Sequence, residues 1–269
     1  MNTYLELIRT GNCIIASIAT LIGFLIIAPA SINLLFAMVA VFLICAGGQA
    51  INDVFDAEID SKINKDKPIP SGKIKKTTAL YFSILLFIVG IMYAALINTQ
   101  ALIISIIFSI LLILYAAVLY KTKYVGNIVV ALGTAFTFIF GAASAGNISL
   151  LIIVFAISAF FANMSREITK DFEDIKKDAG FKKTLPMISK KLAKGFVISY
   201  HLLAIVFSLI AFFVFMPTNF VYLIIILLVA ITFGMSIKLL LANDFNNSQK
   251  KCKKGMVFSL IAFASTIIK

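Results

Sequence analysis

Apolar residues run through this chain in nine long stretches: 12–28, 34–51, 78–97, 100–119, 125–145, 149–165, 196–216, 220–241 and 256–268. A helix needs about 20 such residues to cross the hydrocarbon core of a bilayer. Apolar residues make up 61% of the chain, against about 45–50% in a soluble domain. Charged residues make up 13%, against about 25%. A soluble core of this size has no place to hide so much apolar surface. These figures exclude a disordered chain, a nucleic-acid module built on a charged surface and a soluble enzyme. They predict an all-α, polytopic membrane helical bundle of about nine transmembrane helices, one domain over 1–269, with lipid as its main partner and no nucleic acid. The stretch at 256–268 is the shortest, and a re-entrant or interfacial segment is its alternative reading.

The net charge of +12 is not spread evenly. Of 24 Lys and Arg, six fall between Lys62 and Lys76, nine between Arg166 and Lys194, and five between Lys238 and Lys254. Lys121 and Lys123 form a further group. The intervening connections, 29–33, 98–99, 146–147 and 217–219, are short and uncharged. Basic loops stay on the cytoplasmic side of a membrane. The expected protein is therefore an integral, multi-pass one, with N-terminus and basic connections inside and C-terminus outside. Glu6 and the lack of a small-residue cleavage site argue against a signal peptide at the start. Cys13, Cys45 and Cys252 are too scattered for a disulfide framework or a metal motif.

The acids are more informative. Ten of the twelve lie in two patches: Asp53, Asp56, Glu58, Asp60 and Asp66, then Glu167, Asp171, Glu173, Asp174 and Asp178. Asp53, Asp56 and Asp60 stand at i, i+3 and i+7, and so do Asp171, Asp174 and Asp178. That spacing predicts three carboxylates on one helical face. Each triplet is followed eight residues later by a proline, Pro68 or Pro186, and all four positions are offset by 118 residues. Four expected helices intervene, so both patches fall on the cytoplasmic side. The match implies a weak parallel internal repeat; chance is the alternative, since D-x-x-D is a common pattern.

Like charges on one face repel, so a cation must compensate. Oxygen ligands without His or Cys suit a hard ion, and Mg²⁺ fits best because it binds a few carboxylates together with substrate phosphates. The expectation is one Mg²⁺–diphosphate site. Solvated helix ends with lysine partners are the bland alternative.

At these residues the sequence resembles the UbiA superfamily of intramembrane prenyltransferases. The resemblance rests on Asn52-Asp53-x-x-Asp56-x-x-x-Asp60, on I-N-K-D-K-P-I-P-S-G over 63–72, and on the second motif over 171–178. Two departures are Lys65, where proline is usual, and Lys67, where arginine is usual; lysine keeps the charge but loses the bidentate fork. The stretch 166–186, with the Gly126-Asn127 pair, looks most like the archaeal branch that adds a second geranylgeranyl chain to geranylgeranylglyceryl phosphate.

The resemblance implies alkyl transfer from a polyprenyl diphosphate donor to a lipid-like glycerol phosphate acceptor. Asp53, Asp56, Asp171, Asp174 and Asp178 would hold Mg²⁺. Asn52 would support a ligand or touch a phosphate oxygen, and Asp60 would be a ligand or an outer acceptor. Lys67, Lys121, Lys123, Arg166, Lys170 and Lys183 are candidates for phosphate binding, with simple orientation in the membrane as the alternative for each. Arg9 and Asn12, an R-x-x-N pattern the family shares, line the pocket or anchor the interface. His201 reads as a helix–helix hydrogen-bonding group, and Gln49 and Asn163 face inward if the motifs do. The segments 58–76 and 172–191 are expected to cap the site as short helices. Rival readings are an aromatic acceptor, a polyprenyl-diphosphate hydrolase and a cation-coupled transporter. Transporter sites lie near the midplane in inverted repeats, which the helix-end position of these acids opposes.

Overall fold

The computed structural model describes residues 3–118, 123–175, 180 and 183–267. Among them are eleven helices: α1 (Thr3–Leu7), α2 (Thr10–Ile27), α3 (Ile32–Ile63), α4 (Lys76–Ala95), α5 (Thr99–Ala117), α6 (Lys123–Ser144), α7 (Leu150–Glu173), α8 (Leu185–Ile188), α9 (Lys190–Phe215), α10 (Phe220–Leu241) and α11 (Phe245–Ser265). Eight of these, α2 to α7 with α9 and α10, are long and apolar enough to cross a membrane.

The ninth expected stretch lies on α11, whose first half carries Lys250, Lys251, Lys253 and Lys254. Those charges keep it out of the eight. Its packing nevertheless follows α10 from end to end. Ser236 bonds Ser248 at one end, through Oγ to the carbonyl at 2.9 Å. The Asn219 amide meets the Ser265 carbonyl at 3.5 Å at the other end. Tyr222 and Phe263 stack between them.

The helices fall into two units, 1–120 with 140–147, and 121–139 with 148–269. In the first, α3 packs on α1, α2, α4 and α5. Small residues let the backbones approach, as membrane helix pairs require. Ser83 Oγ donates to the Gly47 carbonyl at 3.0 Å, and a Cβ on Gly90 would stand 3.1 Å from the Ala40 carbonyl oxygen. In the second unit, α7 packs on α8, α9 and α11, and α10 on α9 and α11.

Three of the four uncharged connections lead into side-chain caps. Asn98 accepts from the Ala101 amide at 2.8 Å and donates to the Ala143 carbonyl at 2.9 Å. Ser149 and Asn219 cap α7 and α10 in the same way, by accepting an amide in the first turn.

Two helices carry the acidic motifs. The helix α3 continues past the apolar stretch that ends at residue 51 and runs to Ile63, as the helical spacing of Asp53, Asp56 and Asp60 predicts, because Ala50, Val54 and Ala57 keep a buried stripe going. The first acidic motif therefore sits on the extension of a spanning helix. The segment after it forms no capping helix: 64–75 is a chain of turns, closed by Gly72 at φ +76°, where glycine carries no steric penalty. By contrast, α7 ends at Glu173, and α8 is a single short turn.

Candidate active site

In the first unit α3 carries Asn52, Asp53, Asp56 and Asp60 on its last three turns. Asp53 and Asp60 are each 4% exposed, and Asp56 is half-buried. Buried carboxylates need partners, and all three have them. Arg9 donates to Asp53 Oδ1 at 2.8 Å, and Lys67 Nζ donates to the same oxygen at 3.2 Å. Lys67 also reaches Asp60 Oδ2 at 2.6 Å. The Asn52 amide donates to Asp56 Oδ2 at 3.0 Å, and the Asn64 amide to Asp60 Oδ1 at 2.9 Å.

Local structure places both cations. Arg9 joins α1 to α2 in the left-handed region, at φ 47° and ψ 60°. For a non-glycine residue that conformation costs about 1–2 kcal/mol, and here it accompanies an ion pair with a residue 44 positions away. Lys67 lies within the turns after α3. Its amide bonds the Asn64 carbonyl at 3.2 Å, and its carbonyl accepts from Ser71 at 3.0 Å. Pro68 is buried, and Ile69 and Ile74 pack with Leu7, Ala50, Val54 and Ala79. Asn12 stands exposed at the start of α2, its amide bonded to the Arg9 carbonyl at 2.8 Å.

In the second unit the expected three-carboxylate face is realised only in part. Asp171 lies on the last turn of α7, 3% exposed, and accepts from the Asn127 amide of α6 at 2.8 Å. Asp174 is the C-cap residue, half-buried, and not a continuation of the helix. Asp178 lies outside the described residues, as does Lys121, and Lys123 opens α6 with its side chain outside them. Arg166 pairs with its neighbour Glu167. Lys170 and Lys183 are exposed. Lys253 of α11 is exposed, and partial desolvation together with the positive charges of Arg166 and Lys170 lowers its ammonium below its usual value.

Gln49 is half-buried, and Asn163 is buried with its amide on Thr134 Oγ1 at 2.6 Å. His201 is fully buried but does not bridge helices by hydrogen bonding. Its Nδ1 meets the Val197 carbonyl of its own helix at 2.8 Å, and its ring packs edge-on against Phe233. Its Nε2 is buried with no hydrogen-bond partner, because the edge-on Phe233 ring offers none.

Two contributors were not singled out as carboxylate partners from the sequence, Asn64 and Asn127. Asn64 was detectable, because it stands four residues after Asp60, the same offset that links Asn52 to Asp56. Asn127 bonds Asp171 across 44 residues, and nothing local announces that contact.

Among the described residues no three His, Cys, Asp or Glu side chains form a ready-made metal cage. The donors present, Asp and Asn oxygens, suit a hard cation that keeps waters and takes further oxygens from a phosphate. The residues therefore fit Mg²⁺ held together with a substrate better than a closed, all-protein site.

Fold and acidic groups together define a polytopic helical membrane protein with oxygen-donor groups at its helix ends. Residues 16–262 match the UbiA prenyltransferase family, and the chain belongs to that family. A digeranylgeranylglyceryl phosphate synthase from Methanothrix thermoacetophila is 40% identical over 266 residues, 97% of each chain. A solved structure described as giving structural and mechanistic insights into digeranylgeranylglyceryl phosphate synthase in membranes superimposes with a TM-score of 0.83 at 34% identity, covering 99% of this chain and 98% of the other. A UbiA homologue from Archaeoglobus fulgidus, bound to DMAPP and Mg²⁺, shares the fold at a TM-score of 0.72 and 17% identity, covering 97% of this chain and 99% of its own.

Proposed function

We propose that this prenyltransferase moves a geranylgeranyl group from its diphosphate to geranylgeranylglyceryl phosphate, the second ether-forming step of an archaeal membrane lipid. The full-length likeness to synthases of that name carries the assignment of the acceptor. In the reaction the allylic C–O bond breaks, diphosphate leaves with the electron pair, and the acceptor hydroxyl oxygen forms the new C–O bond and gives up its proton.

In the first unit Asp53 and Asp56, with Asn52 in support, would hold Mg²⁺; in the second unit Asp171, Asp174 and Asp178 would do so. When bound, the ion supplies charge neutralisation and Lewis acidity to the departing diphosphate. Arg9 and Lys67 supply positive charge beside Asp53 and are assigned to the diphosphate. Lys121, Lys123, Arg166, Lys170 and Lys183 are assigned to the donor or acceptor phosphates. The amides of Asn52 and Asn127 orient Asp56 and Asp171. Removing the reacting carbon from bulk water protects the developing allylic cation from hydrolysis.

The acidic groups are assigned to the cytoplasmic face, where the basic connections belong. The N-terminus then lies inside, and the end of α11 outside.

The test is transfer by purified protein with geranylgeranyl diphosphate and Mg²⁺. Geranylgeranylglyceryl phosphate should be consumed and 4-hydroxybenzoate should not, and EDTA should stop turnover until Mg²⁺ is restored. Diphosphate release with neither acceptor consumed overturns the transferase assignment; use of 4-hydroxybenzoate alone overturns the acceptor.

A further inference from the structure

Three cations converge in the second unit, at a place the acidic motifs do not explain. The helices α7 and α11 run antiparallel, with Phe172 stacked on Phe245 at 4.7 Å. Two turns further along, the buried Cys252 meets Ser165 Oγ at 3.7 Å and donates to the Ala162 carbonyl at 3.8 Å. That contact sets Lys253 of α11 beside Arg166 of α7, since each follows one member of the touching pair. Lys170 stands one turn from Arg166, at i+4 on the same face. Arg166 and Lys170 act on the Lys253 ammonium more strongly than Glu173 and Glu167 do.

Like charges brought together cost free energy unless an anion joins them. Orientation in the membrane asks only that basic residues stay on one side. It does not ask three of them to meet. Nor does the metal motif account for them. Asp171 turns to α6, where the Asn127 amide holds it at 2.8 Å, whereas Arg166 and Lys170 turn to α11. Glu167 pairs with Arg166, and Glu173 is exposed. Three cations against these two carboxylates leave one positive charge in excess.

We propose that Lys253, with Arg166 and Lys170, binds the phosphate monoester of the acceptor, apart from the metal-held diphosphate of the donor. This rests on the prenyl-transfer reading above. A phosphate monoester carries about −1.5 to −2 charges at pH 7 and three acceptor oxygens. Three protein cations match that charge without a metal ion. Arg166 supplies a planar fork that takes two phosphate oxygens, and the two ammonium groups supply point charges from different helices. The excess positive charge beside α11 is thereby neutralised when the acceptor arrives, and the acceptor is held by its head group. All three residues belong to one unit, so the site is complete within it.

The test is steady-state transfer by purified protein in neutral phosphatidylcholine vesicles. Lys253→Met should raise the KM for geranylgeranylglyceryl phosphate about tenfold or more, and leave the KM for geranylgeranyl diphosphate within about twofold. Lys253 is exposed, so the unfolding midpoint should stay within a few degrees. Lys253→Arg keeps the charge and should return the acceptor KM to within about threefold. Lys254→Met removes the same charge at the next position, where the ammonium lies 5.7 Å from the Phe258 ring centroid, and should leave both constants within about twofold. An unchanged acceptor KM in Lys253→Met overturns the proposal, as does an equal rise for the donor or an equal effect of Lys254→Met. An effect seen only in vesicles containing anionic phospholipid assigns the cations to bilayer head groups and overturns it too. Binding of glycerol phosphate, followed by ³¹P NMR, needs no turnover. It should be about tenfold weaker in Lys253→Met than in Lys254→Met; equal binding overturns the site. If the unaltered protein consumes no geranylgeranylglyceryl phosphate, the functional reading fails by itself, and the glycerol phosphate comparison still decides whether these cations bind a phosphate monoester.

Discussion

Asp171 shows how a single buried charge constrains its surroundings. At 3% exposure it needs donors, and Asn127, itself 6% exposed, supplies one from a different helix. Asn127→Ala removes that amide and leaves a buried carboxylate oxygen short of a bond, at a cost of about 1–3 kcal/mol. Thermal unfolding in detergent should show a lower midpoint, with transfer activity falling as well. Asp56→Ala and Asp174→Ala behave differently. Both residues are half-buried at helix ends, so their loss should leave the unfolding midpoint within a few degrees while transfer falls by about 100-fold or more. Retained turnover in both variants refutes the carboxylate mechanism. At this scale the sequence made the acids legible through their spacing, and it made Asn52 and Asn64 legible through helical offsets. It could not disclose that Asn127 meets Asp171, because a contact across 44 residues depends on how α6 and α7 meet.

Among the helices, glycines separate close packing from open surface. A Cβ on Gly141 of α6 would run into the carbonyl of Thr20 and the backbone of Phe24 on α2. Backbone atoms cannot rotate away, so Gly141→Ala should destabilise the protein by about 1–3 kcal/mol. Gly234 of α10 has nothing within 4 Å of the added carbon. Gly234→Ala should be neutral or stabilise by up to about 1 kcal/mol, because alanine loses less backbone entropy in a helix. Opposite shifts of the unfolding midpoint check the pair. Helix extents follow the same physics. The buried stripe of Ala50, Val54 and Ala57 carries α3 beyond the apolar stretch read from hydropathy. The helix α11 pairs with α10 along its length despite four lysines in its first half.

For the molecule as a whole, orientation is the open quantity with the most direct test. Lys73, in the turns after α3, and Thr218, between α9 and α10, are both exposed and belong to connections assigned to opposite faces. In right-side-out vesicles a membrane-impermeant maleimide should label Thr218→Cys and leave Lys73→Cys untouched until the vesicles are opened. The reverse pattern overturns the cytoplasmic placement of the acidic groups. The sequence expectation of one domain over 1–269 meets a structure that divides into two units, each holding one of the two acidic motifs. The family match runs over 16–262 and so spans both.

By itself the sequence determined the solvent, the helical class and the residue types of the site. Hydropathy over about 20 residues sets where a helix can cross a membrane, and scarce acids stand out in a chain with 13% charge. Only the tertiary structure decided which partner each carboxylate takes. It put Arg9 and Lys67 on one oxygen of Asp53, gave each oxygen of Asp60 a donor, and ended α7 before Asp174. Spacing along a helix reports which residues share a face, but hydrogen bonds and ion pairs need distances of about 3 Å. Those distances depend on turns, burial and helix crossings far apart in the chain.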